Sequence, residues 1–241
     1  SGKNALLEAG IEFLEAKVSQ EHLANFINEN QIDVLLVRSA TNVRQELIDA
    51  CPTLKIIGRG GVGMDNIDVE YAIEKGIFVI NTPTASSRSV AEMVFAHFFS
   101  LARFLHESNR LMPLEGDTHF SAMKKVFAKA VELEGKTLGV IGFGSIGREV
   151  VKMGISLGMK VKVLTRQPRT ETLFLDFFDG QTLNFEITST NDWNEFLENV
   201  EFLSINTPKT KEYILDTTKI KKMKDGVFIV NTARGGVLNE V

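Results

Sequence analysis

The sequence predicts an α/β fold of two doubly wound parallel sheets, and three observations carry that reading. Short β-branched or aliphatic runs alternate with amphipathic stretches along the whole chain. The runs are apolar nearly throughout, as strands buried on both faces are. Two of them lead directly into the pattern G-x-G-x-x-G. Sheets of this Rossmann or flavodoxin-like kind bind ligands beyond the carboxyl ends of their strands, so the residues just after each run are the candidate functional ones.

Taken in order, strands are expected at 32–37 (IDVLLV), 55–58 (KIIG), 77–81 (IFVIN), 137–142 (TLGVIG), 160–165 (KVKVLT), 200–206 (VEFLSIN) and 226–231 (GVFIVN). SQEHLANFINEN, VRQELIDAC, DVEYAIEKG and NDWNEFLEN read as helices, several closed by Gly or Asn. Near residue 84, NTPTASS supplies turn chemistry, and a long helix, SVAEMVFAHFFSLARFLHESNRLM, follows from Ser89, opened by a capping box of Ser89 with Glu92. Val90, Met93, Phe95, Phe99, Leu101 and Leu105 make that helix apolar on nearly every face, which predicts burial between domains or subunits and hence a homodimer. The charged MKKVFAKAVELEGK then leads into the second strand series, so the chain is divided into domains 1–85 and 86–241. Within the second, TETLFLDFFDGQTLNFEIT holds two alternating apolar runs around DGQ and predicts an inserted β-hairpin, either covering a ligand or extending a sheet edge.

With 44% hydrophobic residues, 241 residues are enough to bury sizeable cores. The balance of 27 basic against 31 acidic residues, a net charge of -4 with no basic stripe, points away from nucleic acid and anionic membranes and toward small molecules. The lone cysteine, Cys51, suits a helix-end core position better than a nucleophile, and a chain without an internal disulfide belongs in a reducing compartment such as the cytoplasm. No apolar run approaches the ~18 residues of a spanning helix, SGKNALLEAG is not a signal peptide, and no metal site is read.

The two glycine patterns read differently. GFGSIG, 142–147, lies between a strand and the helix SIGREVVKMGISLG, with a second strand beyond, as a dinucleotide turn requires. Gly142 would make the tight turn, Gly144 would let the backbone approach phosphates, and Gly147 would let the helix pack on the sheet; a purely structural turn is the alternative. GRGGVG, 58–63, is followed by MDNID, and a helix begins only near Asp68. Glycines at a strand end without a helix can still turn backbone N–H groups onto a small anion such as a carboxylate.

VRSATNV, GRGGVGMDNIDVEYAIEKGIFVINTP, SVAE, KTLGVIGFGSIGREV and GVFIVNTARGGVLNE, in this order and over nearly the whole chain, resemble the D-2-hydroxyacid dehydrogenases, most closely their D-3-phosphoglycerate dehydrogenase branch. The resemblance implies a substrate-binding domain in 1–85 and a dinucleotide-binding domain in 86–241, exchanging a hydride between a 2-hydroxy or 2-oxo acid and NAD or NADP; 3-phosphoglycerate and serine biosynthesis are implied by the branch. It assigns the carboxylate to the backbone N–H groups of Val62 and Gly63, and catalysis to Arg234, for which a structural salt bridge is the rival reading. It places Ser145 and Ile146 at the pyrophosphate, Thr207 and Pro208 near the adenosine, and Thr232 and Ala233 near the nicotinamide. Arg38, with Ser39 beside it, and Arg59 each follow a strand and should emerge at the same sheet edge as the anion loop; together they point to a second substrate anion, a phosphate in the branch resembled, while a solvated or structural role stays open for each.

Three departures stand out. An NAD site carries an acidic residue at the end of its second strand, about 20 residues past the glycines; here Thr165 holds that place, followed by Arg166 and Arg169, which opens NADP as a cofactor, with ordinary surface arginines as the alternative. The hairpin segment is longer than the family's. The family's catalytic histidine and its glutamate both follow the arginine, whereas His22, His97, His106 and His119 all precede Arg234, and none is assigned to catalysis. The first strand of such a domain is also not found ahead of SGKNALLEAG, so both domains are expected to be incomplete. A non-catalytic dinucleotide-sensing module on the same fold is the competing reading.

Overall fold

The chain divides between Thr82 and Pro83 into two units; the computed structural model describes residues 2–240. In the first, α1 (Gly2–Glu8), a 3-10 turn and α2 (Leu23–Glu29) precede β1 (Val34–Val37), α3 (Gln45–Ala50), β2 (Ile56–Arg59), α4 (Val69–Glu74) and β3 (Phe78–Asn81). The strands pair in parallel in the order β1-β2-β3, with Val37 beside Arg59 and Arg59 beside Asn81, so all three end at one edge. The period-2 alternation of a strand sends Val37 and Ile57 to the face covered by α2, α3 and α4, where Ile27, Ile48, Cys51 and Ala72 complete a core. Val34, Leu36, Phe78 and Ile80 occupy the opposite face and are exposed.

The second unit holds α5 (Ser87–Ala102), α6 (Leu105–Phe127), β4 (Thr137–Ile141), α7 (Ser145–Ser156), β5 (Lys160–Leu164), β6 (Thr170–Asp176), β7 (Thr182–Thr190), α8 (Trp193–Leu197), β8 (Phe202–Ile205), α9 (Thr217–Ile220) and β9 (Phe228–Asn231). Its six strands run β6-β7-β5-β4-β8-β9, parallel except for β6. β8 shows why the strands are apolar throughout: all four of its residues are buried. Phe202 joins the core under α5 and α7, whereas Leu203 and Ile205 join the core on the other face with Phe196 and Leu215. Cys51 is buried at the end of α3, and burial pushes its thiol pKa up, as a core cysteine requires. Among the described residues no helix is long and apolar enough to cross a membrane.

The predicted hairpin forms, β6 against β7, turning through 177–181 with Gly180 at φ +82°. β7 also pairs in parallel with β5, so the insert extends the sheet edge. The predicted capping box does not form. α5 begins at Ser87, two residues early, because the chain already turns at Thr84, whose carbonyl accepts from Ser87 N–H at 3.1 Å. Ser89 thus lies inside the first turn, and Glu92 pairs instead with Arg88 at 3.2 Å. The single long helix is also two. Phe104 takes the left-handed conformation, φ 54°, which ends the helix after Ala102, and its ring lies 5.8 Å from that of Phe127, the last residue of α6, a helix with Pro113 inside it. MKKVF belongs to the end of α6. One stripe of α5, Ala91, Val94, Phe95, Phe98 and Ala102, is buried in the core, while Met93, Phe99 and Leu101 remain exposed.

Phe98 is fully buried and meets Phe95 and Phe202 edge-on at 5.8 and 5.2 Å. Phe98→Ala should lower the unfolding free energy by about 3–5 kcal/mol, the usual cost of a cavity of that size. Urea denaturation followed by circular dichroism measures it; a loss under about 1 kcal/mol would mean that the site collapses around the smaller side chain.

Candidate functional site

Four parallel strands of the second unit, β5, β4, β8 and β9, deliver their carboxyl ends to one edge, and the predicted cofactor residues lie there. Gly142, at φ +94°, turns the chain out of β4; a Cβ there would come within 2.7 Å of the Asn206 carbonyl oxygen and 2.9 Å of Thr207. A Cβ on Gly147 would fall against the Gly142 carbonyl, well inside van der Waals contact, so only glycine lets α7 start this close to the strand. Gly144 is different. It is exposed, has an ordinary φ of -82°, and a Cβ there would meet nothing within 4 Å. The fold does not need that glycine; a ligand approaching the first N–H groups of α7, at Ser145 and Ile146, would.

Around this turn the buried oxygens Asn206 Oδ1, Thr207 Oγ1 and Thr232 Oγ1 have no hydrogen-bond partner. Buried polar atoms are nearly always paired, so three orphans at one sheet edge beside an open glycine turn fit a polar ligand. Pro208 follows Thr207 and is exposed. Beyond β9, Asn231 shapes the turn that carries Thr232, Ala233 and Arg234: its Oδ1 accepts from Ala233 N–H at 3.1 Å and its Nδ2 donates to the Arg234 carbonyl at 3.1 Å. The Arg234 guanidinium donates to the Ala233 carbonyl at 2.8 Å.

At the end of β5, the Thr165 hydroxyl shares a 2.8 Å bond with Ser189 Oγ and donates to the Gln167 carbonyl at 2.8 Å. Arg166 is exposed. Arg169 is not a loose surface charge: its Nε bonds Glu171, and its Nη2 donates to the Phe143 carbonyl inside the glycine turn at 2.9 Å. Glu171 also receives both Nε and Nη2 of Arg148, on α7, at 2.8 and 3.0 Å. The Arg148 bond foremost, with Arg169 behind it, holds the Glu171 carboxyl below the usual carboxylate range.

In the first unit, the loop after β2 is held open by neighbouring strand ends. Gly60 N–H donates to the Val37 carbonyl at 2.9 Å, Thr82 N–H to the Gly61 carbonyl at 3.2 Å, and Asn81 Nδ2 to the Val62 carbonyl at 2.7 Å. With the Val62 carbonyl turned toward Asn81, the N–H groups of Val62 and Gly63 stay in a glycine-rich loop that makes no strand or helix. Arg59 folds over Gly61, where a Cβ would collide with its guanidinium, and its buried Nε has no partner. Arg38 and Ser39 emerge exposed from β1, and Asn66, only 9% exposed, fixes their turn by donating to the carbonyls of Arg38 and Thr41 at 3.0 and 2.6 Å. His22, His97, His106 and His119 are all exposed.

Sequence reasoning missed Asn81, Asn206 and Asn231, and the role of Glu171. The asparagines had a signal: Asn-Thr closes β3, β8 and β9 alike, at 81–82, 206–207 and 231–232. Each puts a short two-ended amide where a strand's ladder stops and loop groups need partners.

The model of the D-isomer specific 2-hydroxyacid dehydrogenase catalytic domain matches residues 3–212. A hydroxypyruvate reductase of Thermotoga maritima is 42% identical over 233 residues, 94% of this chain and 69% of that protein. A D-3-phosphoglycerate dehydrogenase of Methanocaldococcus jannaschii is 37% identical over 245 residues, 98% of this chain and 44% of that protein, so the chain spans under half of that relative's length. Among solved structures, the NAD+-bound 3-phosphoglycerate dehydrogenase of Entamoeba histolytica superposes with a TM-score of 0.71 at 27% identity, covering 99% of this chain and 68% of that one. On the fold, the glycine turn and these matches together, the chain belongs to the family of D-isomer specific 2-hydroxyacid dehydrogenases.

Proposed function

We propose that the chain binds a nicotinamide dinucleotide, NAD or NADP, and serves the interconversion of a D-2-hydroxy acid and its 2-oxo acid, with 3-phosphoglycerate, an entry to serine biosynthesis, as the preferred substrate. The observation that carries the reading is the set of unpaired buried oxygens of Asn206, Thr207 and Thr232 around a turn whose Gly144 is open to solvent. When bound, the nicotinamide supplies the hydride donor or acceptor. Gly142, Gly144 and the N–H groups of Ser145 and Ile146 receive the pyrophosphate; Thr207 and Pro208 line the adenosine side, and Thr232 and Ala233 the nicotinamide side. Thr165 is bonded internally, so the ribose end meets no carboxylate at the end of β5, and Arg166 offers charge to a 2′-phosphate.

Arg234 is positioned by the Asn231 turn, and its planar fork can pair a carboxylate while polarising a carbonyl oxygen. The N–H groups of Val62 and Gly63 hold the acid's carboxylate. Arg59, with an unpaired Nε, and Arg38, with Ser39, take its phosphate. Self-association follows the exposed apolar side chains of α5 and α6: Met93, Phe99, Leu101, Leu114 and Phe120 are each more than a third exposed. The reducing cytoplasm suits the single buried thiol.

Gly144→Val should cost no more than about 1 kcal/mol of stability, the size of a changed helix cap, yet weaken NADH at least about tenfold, or 1.4 kcal/mol, because the fold leaves that space empty. Calorimetric titration beside thermal unfolding checks both; unchanged affinity would remove the dinucleotide from this turn. In the intact protein, Arg59→Ala or Arg38→Ala should weaken a phosphorylated substrate by about 1.5–3 kcal/mol per lost charge-assisted bond and the unphosphorylated acid far less. Steady-state KM values for 3-phosphoglycerate and glycerate decide it, equal losses meaning that the arginines only hold the loop. Sedimentation velocity at micromolar concentration should show a dimer that Leu101→Glu dissociates; a native monomer would refute the association.

A further inference from the structure

The second-strand carboxylate of an NAD site does two things: it accepts from the ribose hydroxyls and it repels a 2′-phosphate. β5 is followed by Thr165, which has no carboxylate to do either. A carboxylate nevertheless stands beside the glycine turn, and it arrives from the inserted hairpin. Glu171 binds Arg148, at the start of α7, and Arg169, at the foot of β6. Both guanidiniums also lie over the Phe143 ring, at 5.5 and 5.7 Å from its centroid, and Arg169 donates to the Phe143 carbonyl. The backbone of Arg169 is tied to the end of β5 as well: its N–H donates to Ser189 Oγ at 3.0 Å, and Ser189 Oγ bonds Thr165 Oγ1 at 2.8 Å. The Arg148–Glu171–Arg169 cluster therefore lies between the glycine turn and the end of β5, the two features that bracket the adenosine ribose in folds of this type.

Two guanidiniums facing one carboxylate leave a net positive charge, and Arg166 adds another from the same loop. A 2′-phosphate would carry roughly 1.5 to 2 negative charges and would seek the N–H donors that Glu171 now holds: Arg148 Nε and Nη2 and Arg169 Nε. We propose that Glu171 sets the cofactor preference of this chain, an internal anion that occupies the arginine donors a 2′-phosphate would use and so biases the site toward NAD(H). The proposal rests on the reading that GFGSIG binds a nicotinamide dinucleotide.

The test compares dissociation constants of the full chain for NADH and NADPH, by nicotinamide fluorescence at low ionic strength, in the native protein, Glu171→Gln and Arg148→Met. Glu171→Gln should shift the NADPH-to-NADH affinity ratio toward NADPH by about tenfold, the order of one charge-assisted hydrogen bond. Arg148→Met, which removes a donor and leaves the carboxylate, should shift it the other way. A purely structural cluster would instead weaken both cofactors by the same factor in both variants, and that result, or a ratio that moves toward NADH in Glu171→Gln, overturns the proposal. Should Glu171→Gln fail to fold by circular dichroism, the direction of the Arg148→Met ratio still decides. Native protein that binds neither dinucleotide overturns the functional reading itself, and this inference with it; native binding with a fixed ratio overturns only the inference.

Discussion

The second unit depends on one close approach, that of Gly147 in α7 to the carbonyl of Gly142 at the end of β4. No side chain fits between them, so the helix starts within a turn of the strand and its first N–H groups face the sheet edge. The same contact fixes the rest of α7. Gly154, two turns on, also faces the sheet: a Cβ there would fall 2.6 Å from the Leu138 Cδ2 methyl and 3.5 Å from Val161, so the helix lies close over β4 and β5. A flank of the helix then presents Arg148 to the hairpin, and the cluster built on Glu171 follows.

The first unit solves a related problem without a helix dipole. Its glycine loop makes no helical turn, and its shape comes from carbonyls claimed by the flanking strand ends, Val62 by Asn81 and Gly61 by Thr82. Asn231 does the same for the turn carrying Arg234. A parallel sheet ends its ladder at a single edge, leaving several backbone groups unpaired there together. Side chains that both donate and accept satisfy some of them locally, and the remaining groups become the binding surface.

Charge is used differently at the two ends of the larger sheet. At the amino-terminal end, Glu201 accepts from Lys224 at 2.9 Å, Thr137 N–H at 3.3 Å and Lys136 at 3.3 Å, and these partners, Lys224 foremost, hold its carboxyl below the usual range. That cluster ties the starts of β4 and β8 to the segment before β9, far along the strands from the glycine turn, so its perturbed pKa reports structure and not chemistry. At the carboxyl end, the Glu171 cluster touches the turn itself through Phe143. Position along the strand separates the two.

By itself the sequence determined the seven parallel strands, the hairpin, the difference between the two glycine loops and the family, because all of these are written in short-range order: apolar runs of strand length, DGQ between alternating runs, and a helix pattern after one GxGxxG but not the other. It misplaced the start of α5 and ran α5 and α6 together, since Ser86, Ser87 and Ser89 are chemically equivalent caps and nothing local announces that Phe104 turns left-handed to meet Phe127, 23 residues on. It could name Thr165, Arg166 and Arg169 as a break in the expected pattern, but not the carboxylate that pairs with the arginines beside the turn. Glu171 meets Arg148, beside the glycine turn, because β6 folds back along β7 and β7 lies against β5. Pairing between strands is a long-range choice made by the packed chain, and it alone decided that Arg148, Arg169 and Glu171 share one place.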